Sequence, residues 1–334
     1  MGTAAMSMLA PTVQAFFTER LVSQRNASPR TIASYRDTLR LLLAFAQTKT
    51  GTEPSHLSVA DIDADLVTAF LHHLETDRHN SPGTRNTRLA AIRSLFRYAA
   101  LRHPEHAHTI QLVLAIPTKR HAQGDIDYLQ PGEVDALLAA PDPTTWLGRR
   151  DHALLVLTVQ AGLRVSELCQ LTAADMQLGT GAHITCHGKG RKQRATPLTA
   201  HTVDTLTAWT AEQDAQPSDP LFPTRTGTAL SVDAVQWLVN KHTATAGLTC
   251  PSIAAKTVSP HVLRHTCAMN LLHAGVDTTV IALWLGHESV QTTQIYIHAD
   301  MQLKERALAR TTPPSTKPGR YQPPDALLAF LEGL

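Results

Sequence analysis

Four short stretches, GLRVSEL, GKG, SPHVLRHT and HESVQTTQIYIH, set arginine, lysine, histidine and tyrosine at spacings that phosphate chemistry could use. In the third, Ser259 and Pro260 predict a helix start, so His261 and Arg264 emerge three residues apart on one side of its first turn. A helix N-terminus flanked by these two side chains favours an anion, most simply a phosphate. His265 is the competing histidine, roughly 100° round the helix from Arg264. In the first stretch Arg164 stands just beyond a glycine, with Glu167 three residues on, where a carboxylate can hold the guanidinium in one orientation. Lys189 sits between two glycines, a setting that suits close approach to a ligand and equally describes a solvated lysine. The last stretch contains Tyr296, one of five tyrosines in 334 residues. Val290 and Ile297 mark the apolar line of that segment, and Tyr296 lies roughly 100° away from it, so filling a core is not its evident task.

These residues need elements to carry them. Helical spacing links Val13, Phe16, Phe17 and Leu21; then Ser28 and Pro29 open a helix whose apolar side is Ile32, Tyr35, Leu39, Leu42 and Leu43. A third helix carries Val67, Phe70, Leu71 and Leu74, and a fourth follows Ser81, Pro82 and Gly83 with Leu89, Ile92, Leu95, Phe96 and Ala99 inward. Between Arg78 and His106 stand six arginines against the single acid Glu105, which gives this bundle a basic flank. A second concentration, Lys189, Arg191, Lys192 and Arg194, holds no acid. Taken singly, either patch also fits a solvated charged face. The window from Arg102 to Ile126 lacks a sustained apolar period, so the interdomain linker is expected at 105–126. A second unit then opens with a helix over 131–139. One or two more cover 151–171, interrupted near Ala161 and Gly162, and two short strands with a turn span 183–198. Helices resume near His201, Val232, Pro260 and Asp277, and Gly286 ends the last. Residues 311–334 read as a proline-rich tail closed by the short amphipathic helix DALLAFLEGL, too short to hold alone in water and so expected to dock.

Composition narrows the class. A chain of 36.3 kDa with 43% hydrophobic residues suits about two globular domains, and a net charge of +2 neither demands nor excludes nucleic acid. Cys169, Cys186, Cys250 and Cys267 form no C-x-x-C pair and read as reduced thiols; no H-E-x-x-H spacing appears, so no metal site is expected. No run of 18 apolar residues and no signal sequence is visible, which predicts a soluble cytoplasmic protein.

The order of motifs, an arginine in GLRVSEL, a lysine in GKG, HxxR, GH and a tyrosine nine residues later, resembles the tyrosine recombinase or phage integrase family, especially its Xer-like branch. SPRTIASYRDTL and SPGTRNTRLAAIRSLFRYA are also similar, less specifically, to that family's core-binding domain. The resemblance implies a mainly α fold with a small β-sheet. Residues 1–104 would be a helical, SAM-like core-binding domain for DNA and 127–310 an α+β catalytic domain, the two closing on duplex DNA.

The chemistry fits the residue types. A phenol with a pKa near 10 is a poor nucleophile unless it is positioned beside an activated phosphate. Two guanidiniums, Arg164 and Arg264, can fork onto the non-bridging oxygens and stabilise the charge of the pentavalent transition state, so this task needs no metal ion or other cofactor.

By resemblance, Tyr296 attacks to form a 3′-phosphotyrosyl link, His261 assists its proton transfer, Lys189 protonates the 5′-oxygen and His287 donates a hydrogen bond to phosphate. Lys192 also lies in the loop, though the GKG pattern favours Lys189. Glu167 supports Arg164, and Arg30, Arg36, Arg85, Arg88 and Arg93 are expected to hold DNA phosphates. The expected assembly is four protomers on two duplexes, or a heteromer with a related recombinase, with the terminal helix docked on a neighbour or on its own domain. The setting would be an integrase, a transposon-encoded recombinase or a chromosome-dimer resolvase near the nucleoid. A type IB topoisomerase-like activity and a non-catalytic accessory DNA-binding protein are the alternatives.

Overall fold

The computed structural model describes residues 8–120, 127–188 and 193–286. The chain divides into two units, Met1–Gln123 and Gly124–Leu334.

In the first unit, α1 (Leu9–Ala15) runs on as a π-helix over Phe16–Gln24, and α2 covers Pro29–Thr50. Three further helices follow, α3 (Ala64–Thr76), α4 (Pro82–Ala99) and α5 (Ala107–Ala115). The starts obey local chemistry. The hydroxyls of Ser28 and Ser81 accept from the backbone N–H of Thr31 (3.2 Å) and Thr84 (3.3 Å), each just before a proline whose missing donor costs nothing there. Gly51, at φ 72°, closes α2 in the left-handed conformation. The apolar faces meet in a core that includes Phe16, Leu42, Phe70, Leu89 and Phe96. Each such side chain contributes about 1.5–3 kcal/mol on burial, which outweighs helix propensity in elements this short.

Part of the segment expected to link the domains is not a linker. Helix α5 packs on α3 and α4, with Ile110, Val113 and Ile116 in the first unit's core. Ile110 and Val113 stand three residues apart on α5 and Ile116 follows at its C-cap, a stripe too brief to stand out in a window rich in histidine, proline and charge. The chain beyond α5 is also tied down, because the Asn86 amide bonds both the N–H (2.9 Å) and the C=O (2.8 Å) of Lys119.

The second unit opens with α6 (Pro131–Ala139) and α7 (Trp146–Ala161), then the short α8 (Val165–Leu168). A three-stranded antiparallel sheet follows, β1 (Met176–Gln177), β2 (His183–His187) and β3 (Gln193–Pro197), in the order β1-β2-β3. Strand β1 spans two residues, too few to show an alternating pattern in the sequence. The remaining helices are α9 (Ala200–Ala211), α10 (Val232–Ala246), α11 (Pro251–Ala254), α12 (Pro260–His273) and α13 (Thr278–Leu285). Helix α7 is buried on most of its surface because α6, α9 and α12 all pack on it. Among the described residues no helix is long and apolar enough to cross a membrane. The expected terminal helix within 325–334 lies outside the described residues.

Candidate active site

Two glycines bracket the site. Gly162 ends α7 at φ 62°, and a Cβ there would fall 2.7 Å from Leu285 Cδ2 and 2.9 Å from Cys267 Sγ. Only glycine lets the end of α7 lie this close to α12 and α13. The turn delivers Arg164 to the N-cap position of α8. There its backbone N–H donates to Glu167 Oε2 (2.9 Å) and its Nη1 to Glu167 Oε1 (2.7 Å), so the carboxylate fixes both backbone and side chain. Gly286, at φ 64°, ends α13.

Helix α12 starts where Ser259 Oγ accepts from Val262 N (3.3 Å), and its first turn carries His261 and Arg264. Arg264 is buried, donating through Nη1 to Gly162 O and through Nη2 to Leu285 O, both at 2.7 Å. Arg164 Nη2 donates to Gly286 O (2.7 Å) and Arg194 Nε to Trp284 O (3.1 Å). Three consecutive carbonyls at the end of α13 therefore accept from three arginines distant in sequence. A helix C-terminus, with its unpaired carbonyls and partial negative charge, draws cations in this way.

Glu167 lies at the centre. Burial opposes its charge, but the bonds from Arg194, the backbone N–H and the guanidinium of Arg164 prevail, and its carboxyl is held at about 2. His261 keeps part of its ring at the surface and meets His265 edge to face, with centroids 4.2 Å apart. Partial burial and the charges of Arg264 and Arg164 hold its imidazole below the ordinary 6.5, which favours the neutral, proton-accepting form. Cys267, against Gly162, is a buried thiol pushed up to about 12, inert as a nucleophile.

The structure thus brings Arg164, Glu167, His261 and Arg264 together. Lys189, His287 and Tyr296 lie outside the described residues. Strands β2 and β3, which flank Lys189 in the chain, are described, as is Gly286 immediately before His287.

Arg194 is the residue that sequence reasoning passed over. Counted there as one charge in a basic run, it lies largely buried and grips Glu167 with both Nη atoms (2.9 and 2.7 Å). The signal was period two, since Arg194 shares a face of β3 with the buried Thr196.

In the first unit, Arg30 and Arg36 are exposed on α2, Arg36 pairing with its neighbour Asp37 at 3.2 Å. Arg88 is partly buried, and desolvation together with the charge of Arg78 lowers its pKa. Arg85 and Arg93 depart from expectation. Arg85 is buried and donates to Pro117 O (3.0 Å) and Asn86 Oδ1 (3.0 Å), and Arg93 donates to Ile116 O. Their hydrogen bonds tether the chain leaving α5, because that chain covers the side of α4 on which they stand.

Comparison with known proteins agrees over nearly the whole chain. Residues 127–303 match the phage integrase family, and residues 15–103 match the N-terminal SAM-like domain of phage integrases. The Sinorhizobium fredii (strain NBRC 101917 / NGR234) protein y4rC, whose name places it among integrases or recombinases, is 53% identical over 326 residues, 98% of each chain. The tyrosine recombinase XerC of Xanthomonas campestris pv. campestris is 34% identical over 286 residues, covering 86% of this chain and 84% of its own. Among solved structures, the XerH site-specific recombinase bound to palindromic difH substrate in a post-cleavage complex superposes with a TM-score of 0.69 at 25% identity, over 86% of this chain and 81% of that one.

Proposed function

Because this chain belongs to the phage integrase family of tyrosine recombinases, we propose that Arg164 and Arg264 hold one DNA phosphate while the Tyr296 hydroxyl attacks its phosphorus. The protein is a tyrosine-type site-specific DNA recombinase. In the proposed step a bond forms between the tyrosine oxygen and phosphorus as the bond from phosphorus to the 5′-oxygen breaks. His261, kept neutral by its surroundings, takes the phenolic proton, and Lys189 gives a proton to the departing 5′-oxygen. His287 donates to a non-bridging oxygen. The 3′-phosphotyrosine keeps the energy of the broken linkage, so the 5′-hydroxyl of another strand reverses the step without a nucleotide cofactor.

One observation carries this reading: the guanidiniums of Arg164 and Arg264 bond adjacent carbonyls, those of Gly286 and Leu285. Two forks held side by side match the two non-bridging oxygens of a phosphodiester. Arg30, Arg36 and Arg88 contact further phosphates, and Arg85 and Arg93 shape the surface that carries them. The working assembly is four protomers on two duplexes, each terminal helix docked on the next protomer, and the site of action is DNA in the cytoplasm. A nicked recombination site run on a denaturing gel tests the chemistry. Wild type leaves a covalent protein–DNA adduct, whereas Tyr296→Phe binds and leaves none; an adduct formed by Tyr296→Phe overturns the assignment.

A further inference from the structure

Glu167 has more cation around it than its role as a brace for Arg164 requires. Its carboxylate is buried and accepts two bonds from Arg194 but one from the Arg164 side chain. Arg194 is mostly buried as well, whereas the Arg164 side chain is 38% exposed. The cluster holds one negative and two positive charges, and the buried cation is matched to the buried anion by forked geometry. Without Arg194, Glu167 would draw on Arg164 alone, and the pair would present no net charge to an incoming phosphate. Arg194 also lies under the turn after α13. A Cβ at Gly286 would fall 2.9 Å from its Nη1 and 3.1 Å from its Cδ, and its Nε holds Trp284 O.

We infer that Arg194 is a positioning residue that neutralises Glu167, so that Arg164 keeps its positive charge for the DNA phosphate. The inference rests on the phosphate-binding reading of Arg164. It also gives β3 a part in the reaction, because the strand that follows the GKG stretch in sequence sets the electrostatics of an arginine 30 residues earlier in the chain.

The test is single-turnover cleavage of the nicked site by Arg194→Gln, Glu167→Gln, the double variant and Arg164→Gln, with DNA binding and thermal midpoint measured alongside. Glutamine retains hydrogen-bonding capacity without charge, and Arg194→Lys serves as a charge-conserving second variant should Arg194→Gln unfold. Arg194→Gln is expected to slow cleavage roughly 100-fold, the scale of losing one preorganised transition-state donor, with binding within about twofold of wild type by the same separation of cleavage from binding. Removing the carboxylate charge as well should restore about tenfold of that loss, because Arg164 is then released from an unbalanced anion. Arg194→Lys should fall between wild type and Arg194→Gln. A double variant as slow as Arg194→Gln overturns the inference and leaves Arg194 a packing residue. Wild-type cleavage by Arg194→Gln overturns it too, as does Arg194→Lys no faster than Arg194→Gln. Wild-type cleavage by Arg164→Gln instead strikes the phosphate reading beneath it. On a methylphosphonate linkage, whose neutral oxygen needs less cation, the deficits of Arg164→Gln and Arg194→Gln should shrink together, and an unchanged Arg194→Gln deficit beside a reduced Arg164→Gln deficit would contradict the shared route.

Discussion

Substituting Gly162 by alanine separates backbone strain from packing at the centre of the site. The residue sits at φ 62°, where an L side chain costs about 1–2 kcal/mol. The added methyl would also lie 2.7 Å from Leu285 Cδ2, 2.9 Å from Cys267 Sγ and 3.1 Å from Cys267 Cβ, so α12 and α13 must yield. Overpacking of that kind costs about 1–3 kcal/mol. The sum is about 3 kcal/mol, which for a domain of this size lowers the midpoint of thermal unfolding by roughly 6–12 °C. Gly181 supplies the control. It too has positive φ, 74°, but nothing lies within 4 Å of its would-be Cβ, so Gly181→Ala should lose only the strain, about 1–2 kcal/mol. Thermal or urea unfolding followed by circular dichroism measures both. Cleavage should fall further than stability alone explains in Gly162→Ala, because the Gly162 carbonyl that must shift accepts from Arg264 Nη1. A Gly162→Ala protein that unfolds within about 2 °C of Gly181→Ala would show that the neighbouring helices accommodate the methyl freely, and the reasoning about close approach would fail.

Three further outcomes follow from the same geometry. His261 is held below its ordinary 6.5, so the acid limb of the cleavage rate against pH should lie below 6.5 and vanish in His261→Gln; a limb above 6.5 would contradict the depressed imidazole, and one that persists in His261→Gln would remove His261 as the base. The Glu167 carboxyl sits at about 2 against an ordinary 4.5, so its charge contributes stability that is complete above about pH 4.5 and disappears as pH falls through 2. Denaturant titrations across that window should show on the order of 3 kcal/mol of acid-dependent loss in wild type that is absent in Glu167→Gln. Exposed Arg30 and Arg36 should each displace about one counterion from DNA, so the double alanine variant should flatten the slope of log affinity against log salt by about 2, and an unchanged slope would remove both from the interface.

What the sequence disclosed and what it hid divide along the distance over which each feature is decided. The caps at Ser28, Ser81, Ser259 and Asp277 involve bonds to residues two or three positions on, and each stands where the residue types placed it. The pairing of Arg164 with Glu167 spans three residues and was legible for the same reason. Arg194 meets that glutamate across 27 residues of chain and through a sheet, so its charge merged with the lysines and arginines beside it. Arg85 and Arg93 were legible as basic positions on α4, but the chain after α5 arrives over them from 32 and 23 residues away, respectively. The π-helix over Phe16–Gln24 follows from which carbonyl each N–H selects, a choice that apolar spacing does not record.

The last carbonyls of helix α13 and its capping glycine accept from guanidiniums carried by α8, β3 and α12. Whatever course the chain takes after Gly286, it leaves from a point anchored three times over, and an arginine that turned toward a substrate would loosen that anchorage by one link. On the proposed reading, grip on the DNA and the footing of the chain that leads to Tyr296 thus draw on the same few hydrogen bonds.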